Sequence, residues 1–142
     1  MKAIIKVGII GFGYMGQIRL RNIIHNKNME CKGICDPENK DNIINEGMPY
    51  FDNWKNLINS DIDAVIICTP NYLIPKIAIY SMNLGKHVFC EKPPGRNYSD
   101  ILMIKEAESN NPNVKLIFGF NHRHHPGITD AKSIIDYGSL GN

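Results

Sequence analysis

Short, nearly continuous apolar runs alternate along the chain with stretches in which apolar residues recur every three or four positions. The runs fall at 4–10, 30–35, 64–68, 87–90 and 115–120, with a shorter sixth at 50–51. Runs apolar on both faces are what parallel strands covered by helices require. The periodic stretches fall at 15–25, 41–46, 53–59, 75–84, 101–109 and 128–137. The first carries Ile18, Ile23 and Ile24, and Trp54, Leu57 and Ile58 share a face of the third. Ile77, Ala78, Ser81 and Met82 form one stripe of the fourth, with Pro75 in its first turn. Ser99 and Asp100 read as the N-cap of the fifth, and Gly138 as the stop of the last. This alternation predicts an α/β fold: a doubly wound, parallel sheet between two layers of helices.

In such sheets ligands sit beyond the carboxyl ends of the strands. After the first run comes Gly11-Phe12-Gly13-Tyr14-Met15-Gly16, and after the second, Asp36. The next three runs are followed by Thr69-Pro70-Asn71, Glu91-Lys92-Pro93 and Asn121-His122-Arg123. A lone GxGxxG hexamer is weak, but this one directly follows a strand pattern and opens a helical one. Gly11 makes the turn, Gly13 lets backbone approach a pyrophosphate, and Gly16 lets helix pack on strand. The helix start then offers free N–H groups and partial positive charge to phosphates. Asp36 lies where a carboxylate can accept both hydroxyls of an adenosine ribose while repelling a 2′-phosphate. Pro37, Glu38 and Asn39 intervene before Lys40. The expected cofactor is NAD, with NADP less favoured, in a Rossmann-type domain.

Lys92 stands at a strand end and is followed by two prolines, which restrict its backbone. Its ammonium can hydrogen-bond a substrate hydroxyl and stabilise alkoxide character as hydride leaves. An exposed Glu91–Lys92 ion pair in a turn, worth little, is the equally available alternative. Three histidines follow Asn121, at 122, 124 and 125, but no nearby carboxylate or cysteine completes a metal set. Arg123 reads instead as an anchor for negative or carbonyl groups. His25 and His87 receive no function. Cys31, Cys35, Cys68 and Cys90 lack zinc-like spacing and read as small apolar residues at or near strand ends.

The chain has 142 residues, a length that suits one domain. Its formal net charge of +2, with scattered cations, argues against a dedicated nucleic-acid or anionic-membrane binder. The longest apolar run is far short of the ~20 residues a membrane helix needs, and Lys6 interrupts the first. A cytoplasmic setting without a signal peptide is therefore expected.

The succession GFGYMG, Asp36, DAVIICTPN, GKHVFCEKP and GFNHR resembles the Gfo/Idh/MocA family over nearly the whole chain. The resemblance implies hydride transfer at a sugar, cyclitol or nucleotide-sugar carbon, with Lys92 as the active-site lysine. It implies that Thr69, Pro70, Asn71 and Glu91 line the cofactor groove and that Asn121 and Arg123 flank the catalytic edge. It further implies a cis bond before Pro93. One departure is Ile74, where the family commonly has a histidine. Members of the family also continue into a second domain that provides much of the sugar pocket and the dimer interface. The expected organisation is a dinucleotide-binding domain at 1–125 and a terminal helix at 126–142 leading to that domain. Its first strand is expected near residues 139–142. Cofactor binding with negligible turnover is expected of these residues, and a homo-oligomer in a longer protein. A stand-alone NAD(H)-sensing module is the alternative.

Overall fold

A computed structural model describes residues 3–138. Residues 139–142, the expected start of a second domain, and residues 1–2 lie outside that range. The described chain runs β1 (Ile5–Ile10), α1 (Tyr14–Ile24), β2 (Met29–Cys35), α2 (Lys40–Asn45), β3 (Tyr50–Phe51) and α3 (Trp54–Ile58). It continues through β4 (Ala64–Ile67), α4 (Ile74–Asn83), β5 (His87–Cys90), α5 (Tyr98–Asn110) and β6 (Leu116–Phe118). A 3-10 turn, Asn121–His124, and α6 (Pro126–Asp136) follow. The strands form one sheet in the order β3-β2-β1-β4-β5-β6, every neighbouring pair parallel. This is the doubly wound Rossmann arrangement the alternation predicts.

The pleat explains why the strands are apolar on both faces. Ile9, Ile66 and Ile34 point to one side and pack with Leu20 and Ile23 of α1 and Ile43 of α2. Ile10, Val65, Ile67 and Val88 point to the other and meet Leu57, Ile77, Met82 and Ile104 from α3, α4 and α5. Neighbouring residues of one strand thus serve opposite cores, so no polar alternation survives.

On α1, Leu20 and Ile23 face inward while Ile24 is exposed. Two local expectations are corrected. The N-cap of α5 is Asn97, whose Oδ1 accepts from the Asp100 N–H at 3.0 Å. Asp100 instead turns inward, where its carboxylate accepts from Arg96. β6 ends at Phe118: after the Gly119 N–H makes a last bond to β5, at the Cys90 carbonyl, the Phe120 and Asn121 N–H groups turn back to the Phe118 and Gly119 carbonyls and the chain coils into the 3-10 turn. α6 forms as expected, with Gly138 just beyond it at φ 71°, but every residue of the helix is exposed. No helix among the described residues is long and apolar enough to cross a membrane.

Candidate active site

The strand order reverses between β1 and β4, and a cleft of about 430 Å³ opens there beyond their carboxyl ends. That volume lies in the range of small-molecule sites, at the position the topology favours. Gly11 and Gly13 from the first turn, Asp36 after β2, and Cys68, Thr69 and Pro70 after β4 all line it. Pro37, Glu38 and Asn39 extend one wall; Trp54, Tyr72 and Leu73 add an apolar side that the strand-end rule does not reveal.

The three glycines of the loop have different physical reasons. Gly11 has φ +91°, and a Cβ there would lie 2.7 Å from the Cys68 carbonyl. A Cβ on Gly16 would collide with the carbonyl oxygen of Gly11, so helix and strand end pack only through a glycine. At Gly13, by contrast, nothing lies within 4 Å of a built Cβ. Its bare backbone borders open space, which is what close approach by a ligand requires. Gly13 also caps α1, leaving the amides of the first turn to face that space. Tyr14 projects into solvent and Met15 is half-buried. Phe12 is a core residue with its side chain 1% exposed, so only its main chain belongs to the loop.

That main chain binds Asp36. The Phe12 N–H donates to Asp36 Oδ2 at 2.6 Å, and the Glu38 N–H to Oδ1 at 2.9 Å. The carboxylate is half-buried at the cleft wall and keeps lone pairs for further donors. Lys40, the nearest following cation, places its ammonium over the Tyr50 ring at 5.4 Å. Across the cleft, Thr69 Oγ1 is buried with no hydrogen-bond partner, and Asn71 is half-buried beside it in the chain. An orphaned buried hydroxyl is costly in a finished protein. Together with the open space at Gly13 and the acceptor at Asp36, it fits a cleft built for a polar, phosphate-bearing ligand such as NAD.

Burial pushes the Cys68 thiol up to about 12, with the Glu91 carboxylate adding to the effect. Burial likewise raises Cys90 to about 12 and Cys35 to about 11. These thiols are protonated and apolar, as the sequence implies; Cys35 and Cys68 line the cleft and Cys90 belongs to the core. His25 Nδ1 lies 2.7 Å from the Arg21 carbonyl, and His87 Nδ1 accepts from the Lys115 N–H at 3.0 Å. Neither faces the cleft.

A second group gathers beyond β5 and β6. Lys92 is exposed, and the Lys92–Pro93 bond is cis. Glu91 does not pair with it, which overturns the exposed Glu91–Lys92 ion pair. Glu91 is buried and receives Nε of Arg19 at 2.8 Å on Oε1, with the guanidinium's terminal nitrogen reaching the same oxygen. The physical reason is burial: a carboxylate only 6% exposed needs a directly bonded cation, and Arg19 on α1 supplies it. Asn121 lies at 3.5 Å from that guanidinium, whereas Arg123 is exposed on the 3-10 turn. Beyond Lys92 the chain is held by Asp100, which accepts from the Arg96 N–H at 2.8 Å and from its Nε at 3.2 Å. These bonds, the main-chain one foremost, hold the Asp100 carboxyl below the usual carboxylate range. Sequence reasoning misses Arg19; the signal was a cation beside the inward residue Leu20, where it needs a partner. Among the described residues, no group of His, Cys, Asp and Glu side chains is arranged to hold a metal ion.

Fold and cleft together define a Rossmann-type nucleotide-binding domain. The family model described as an oxidoreductase family with an NAD-binding Rossmann fold matches residues 5–120, and the chain belongs to that Gfo/Idh/MocA family. It is 32% identical to inositol 2-dehydrogenase of Salmonella paratyphi B over 96% of this chain and 43% of that protein. It is 34% identical to 2,7-anhydro-N-acetylneuraminate hydratase of Escherichia coli, over 96% of this chain and 37% of that one. Among solved structures it is similar to scyllo-inositol dehydrogenase from Lactobacillus casei with bound NAD(H) and scyllo-inositol. That likeness has a TM-score of 0.88 at 29% identity, covering 98% of this chain and 43% of the other. The chain therefore spans about two fifths of the length of these relatives.

Proposed function

We propose that this chain is the NAD-binding part of an oxidoreductase. Its reaction moves a hydride between nicotinamide and a hydroxyl-bearing carbon of a sugar, cyclitol or nucleotide-linked sugar. The observation that carries the reading is the Asp36 carboxylate, held by the Phe12 N–H at the wall of the cleft where the strand order reverses.

Residues 1–125 serve as the cofactor domain, and α6 within 126–142 leads to a substrate domain like the one its longer relatives have room for. Gly11, Gly13 and Gly16, with the main chain of Phe12, Tyr14 and Met15, receive the pyrophosphate at the start of α1. Asp36 accepts ribose hydroxyls, and Thr69, Pro70 and Asn71 form the facing wall. Bound NAD supplies the hydride acceptor. Lys92 hydrogen-bonds the substrate hydroxyl and favours its alkoxide character, while a base takes the hydroxyl proton. Glu91 and Asn121 line the nicotinamide end, and Arg123 is placed to anchor a polar or negative group of the substrate.

An NADH titration of the 142-residue chain, alongside Lys92→Ala, tests this. The enzyme reading expects Lys92→Ala to hold NADH affinity within roughly threefold while abolishing turnover of a longer protein that carries the same domain. A sensing module is the reading that survives if Lys92 proves dispensable for that turnover.

A further inference from the structure

Arg19 is not in the glycine loop and does not line the cleft, yet its side chain reaches Glu91, Asn121 and Phe89. It lies on the first helical turn after Gly16, so the helix that starts at the phosphate loop carries it. Its guanidinium is 15% exposed and spans the gap between that helix and two strand ends. Nε donates to Glu91 Oε1 at 2.8 Å, and a terminal nitrogen donates to the same oxygen. That terminal nitrogen also reaches Asn121 Oδ1 at 3.5 Å. Its Cζ lies over the Phe89 ring, 4.7 Å from the centroid.

The acceptor is shaped to match. Gly119 has no side chain where a Cβ would lie 2.8 Å from Glu91 Oε2, so the loop after β6 makes room for this carboxylate. The Glu91 N–H is bonded to the Ile67 carbonyl at 2.9 Å. Both the main chain and the side chain of the residue before Lys92 are therefore held. Arginine's fixed fork can satisfy Glu91, lean on Phe89 and reach Asn121 at once, which a lysine ammonium cannot do.

We propose that Arg19 is a positioning residue, tying the phosphate-loop helix to the strand end that bears Lys92 and to Asn121, so that the nicotinamide end keeps one arrangement. This rests on the reading of the cleft as an NAD site and of Lys92 as its catalytic lysine. Arg19 also neutralises Glu91, which would otherwise be a buried carboxylate one residue from the Lys92 ammonium. Without Arg19, that carboxylate must find another partner, and the geometry around Lys92 and Asn121 is released. The adenosine half of the site, at Asp36 and Trp54, does not depend on Arg19.

The two halves can be read separately with NADH and ADP-ribose, the latter lacking nicotinamide. The test titrates both ligands into the unaltered 142-residue chain and into Arg19→Met, Arg19→Lys, Glu91→Gln and the Arg19→Met/Glu91→Gln pair. Nicotinamide fluorescence of bound NADH provides the spectroscopic readout. Arg19→Met is expected to raise the NADH dissociation constant about tenfold and quench the fluorescence gain, with ADP-ribose binding within about twofold of the unaltered chain. Glu91→Gln should reproduce the loss, and the pair should add nothing to it, because the two act as one unit. Arg19→Lys, which keeps a cation beside Glu91, should show the same selective loss to a smaller degree. It decides the matter if Arg19→Met does not fold. Parallel weakening of both ligands, or unchanged NADH binding and fluorescence, would overturn the proposal while leaving the NAD reading intact. Failure of the unaltered chain to bind either ligand would overturn both.

Discussion

The backbone N–H of Phe12 lies 2.6 Å from Oδ2 of Asp36, so the turn after β1 and the end of β2 form one hydrogen-bonded unit. The ligand side of that unit is the carboxylate, and its structural side is a core phenylalanine. Removing the carboxylate in Asp36→Ala should therefore do two things. It should leave two backbone N–H groups without their acceptor, at a stability cost of about 1–3 kcal/mol. It should also weaken NADH at least tenfold, since hydrogen bonds to a charged group contribute about 1.5–3 kcal/mol. NADPH should gain relative to NADH as the repulsion of its 2′-phosphate is lost. Denaturant melts and paired titrations measure both effects.

Gly13 and Gly16 separate ligand binding from folding. Open space surrounds a Cβ at Gly13, whereas one at Gly16 meets the Gly11 carbonyl. Gly13→Ala, at the N-cap of α1, should lose no more than about 1 kcal/mol of stability, yet bind NADH at least tenfold more weakly. Gly16→Ala should lose several times that stability because backbone has to move. Thermal melts beside NADH titrations provide the comparison, and equal melting temperatures for the two variants would contradict it.

The buried thiols set an alkaline limit. Cys68 and Cys90 are raised to about 12 from an ordinary 9.0. The native chain therefore keeps protons that the unfolded chain releases. Their contribution to stability is whole below pH 9 and is lost as pH rises toward 12. Each thiol should steepen the decline by about 1.4 kcal/mol per pH unit within that window. Cys68→Ala/Cys90→Ala should flatten the profile of unfolding free energy against pH, although the pair is less stable near neutrality.

Asp100 works at the other end of the scale. Its carboxyl is lowered by the Arg96 N–H and then by the Arg96 side chain. A lowered acid stabilises the fold above the pKa of its unfolded form, near 3.9, and that contribution disappears as pH falls through the folded value. Asp100→Asn should thus be less stable near neutrality and lose less on acidification. Because Asp100 holds the segment that follows Lys92, its loss should also broaden the NMR resonances around Lys92 while leaving those near Asp36 sharp.

Much of the arrangement was legible because the signals are local. The runs at 64–68 and 87–90 announce strands buried on both faces, and GFGYMG and Asp36 carry their chemistry in spacing. Lys92 was placed at a strand end by the same pattern. What escaped required three dimensions. Arg19 and Glu91 lie 72 positions apart, and nothing near either announces the other. Trp54 shares the core face of α3 with Leu57 and Ile58, and only the fold shows that it also borders the cleft, while Tyr72 reaches it from a loop that has no periodicity to read. Asn97 rather than Ser99 caps α5 because the helix already starts at Tyr98, two residues earlier than its apolar periodicity shows, and the Asp100 carboxylate is bonded to Arg96.

Trp54 is the chain's one tryptophan and lines the cleft beside Asp36, so its emission reports on occupancy. The most direct test is therefore a Trp54-monitored titration of the 142-residue chain with NADH, repeated for Asp36→Ala. The expected result is saturable one-to-one quenching that Asp36→Ala shifts to at least tenfold higher NADH. Emission that never saturates, or a curve that Asp36→Ala leaves in place, would contradict the assignment of this cleft to NAD.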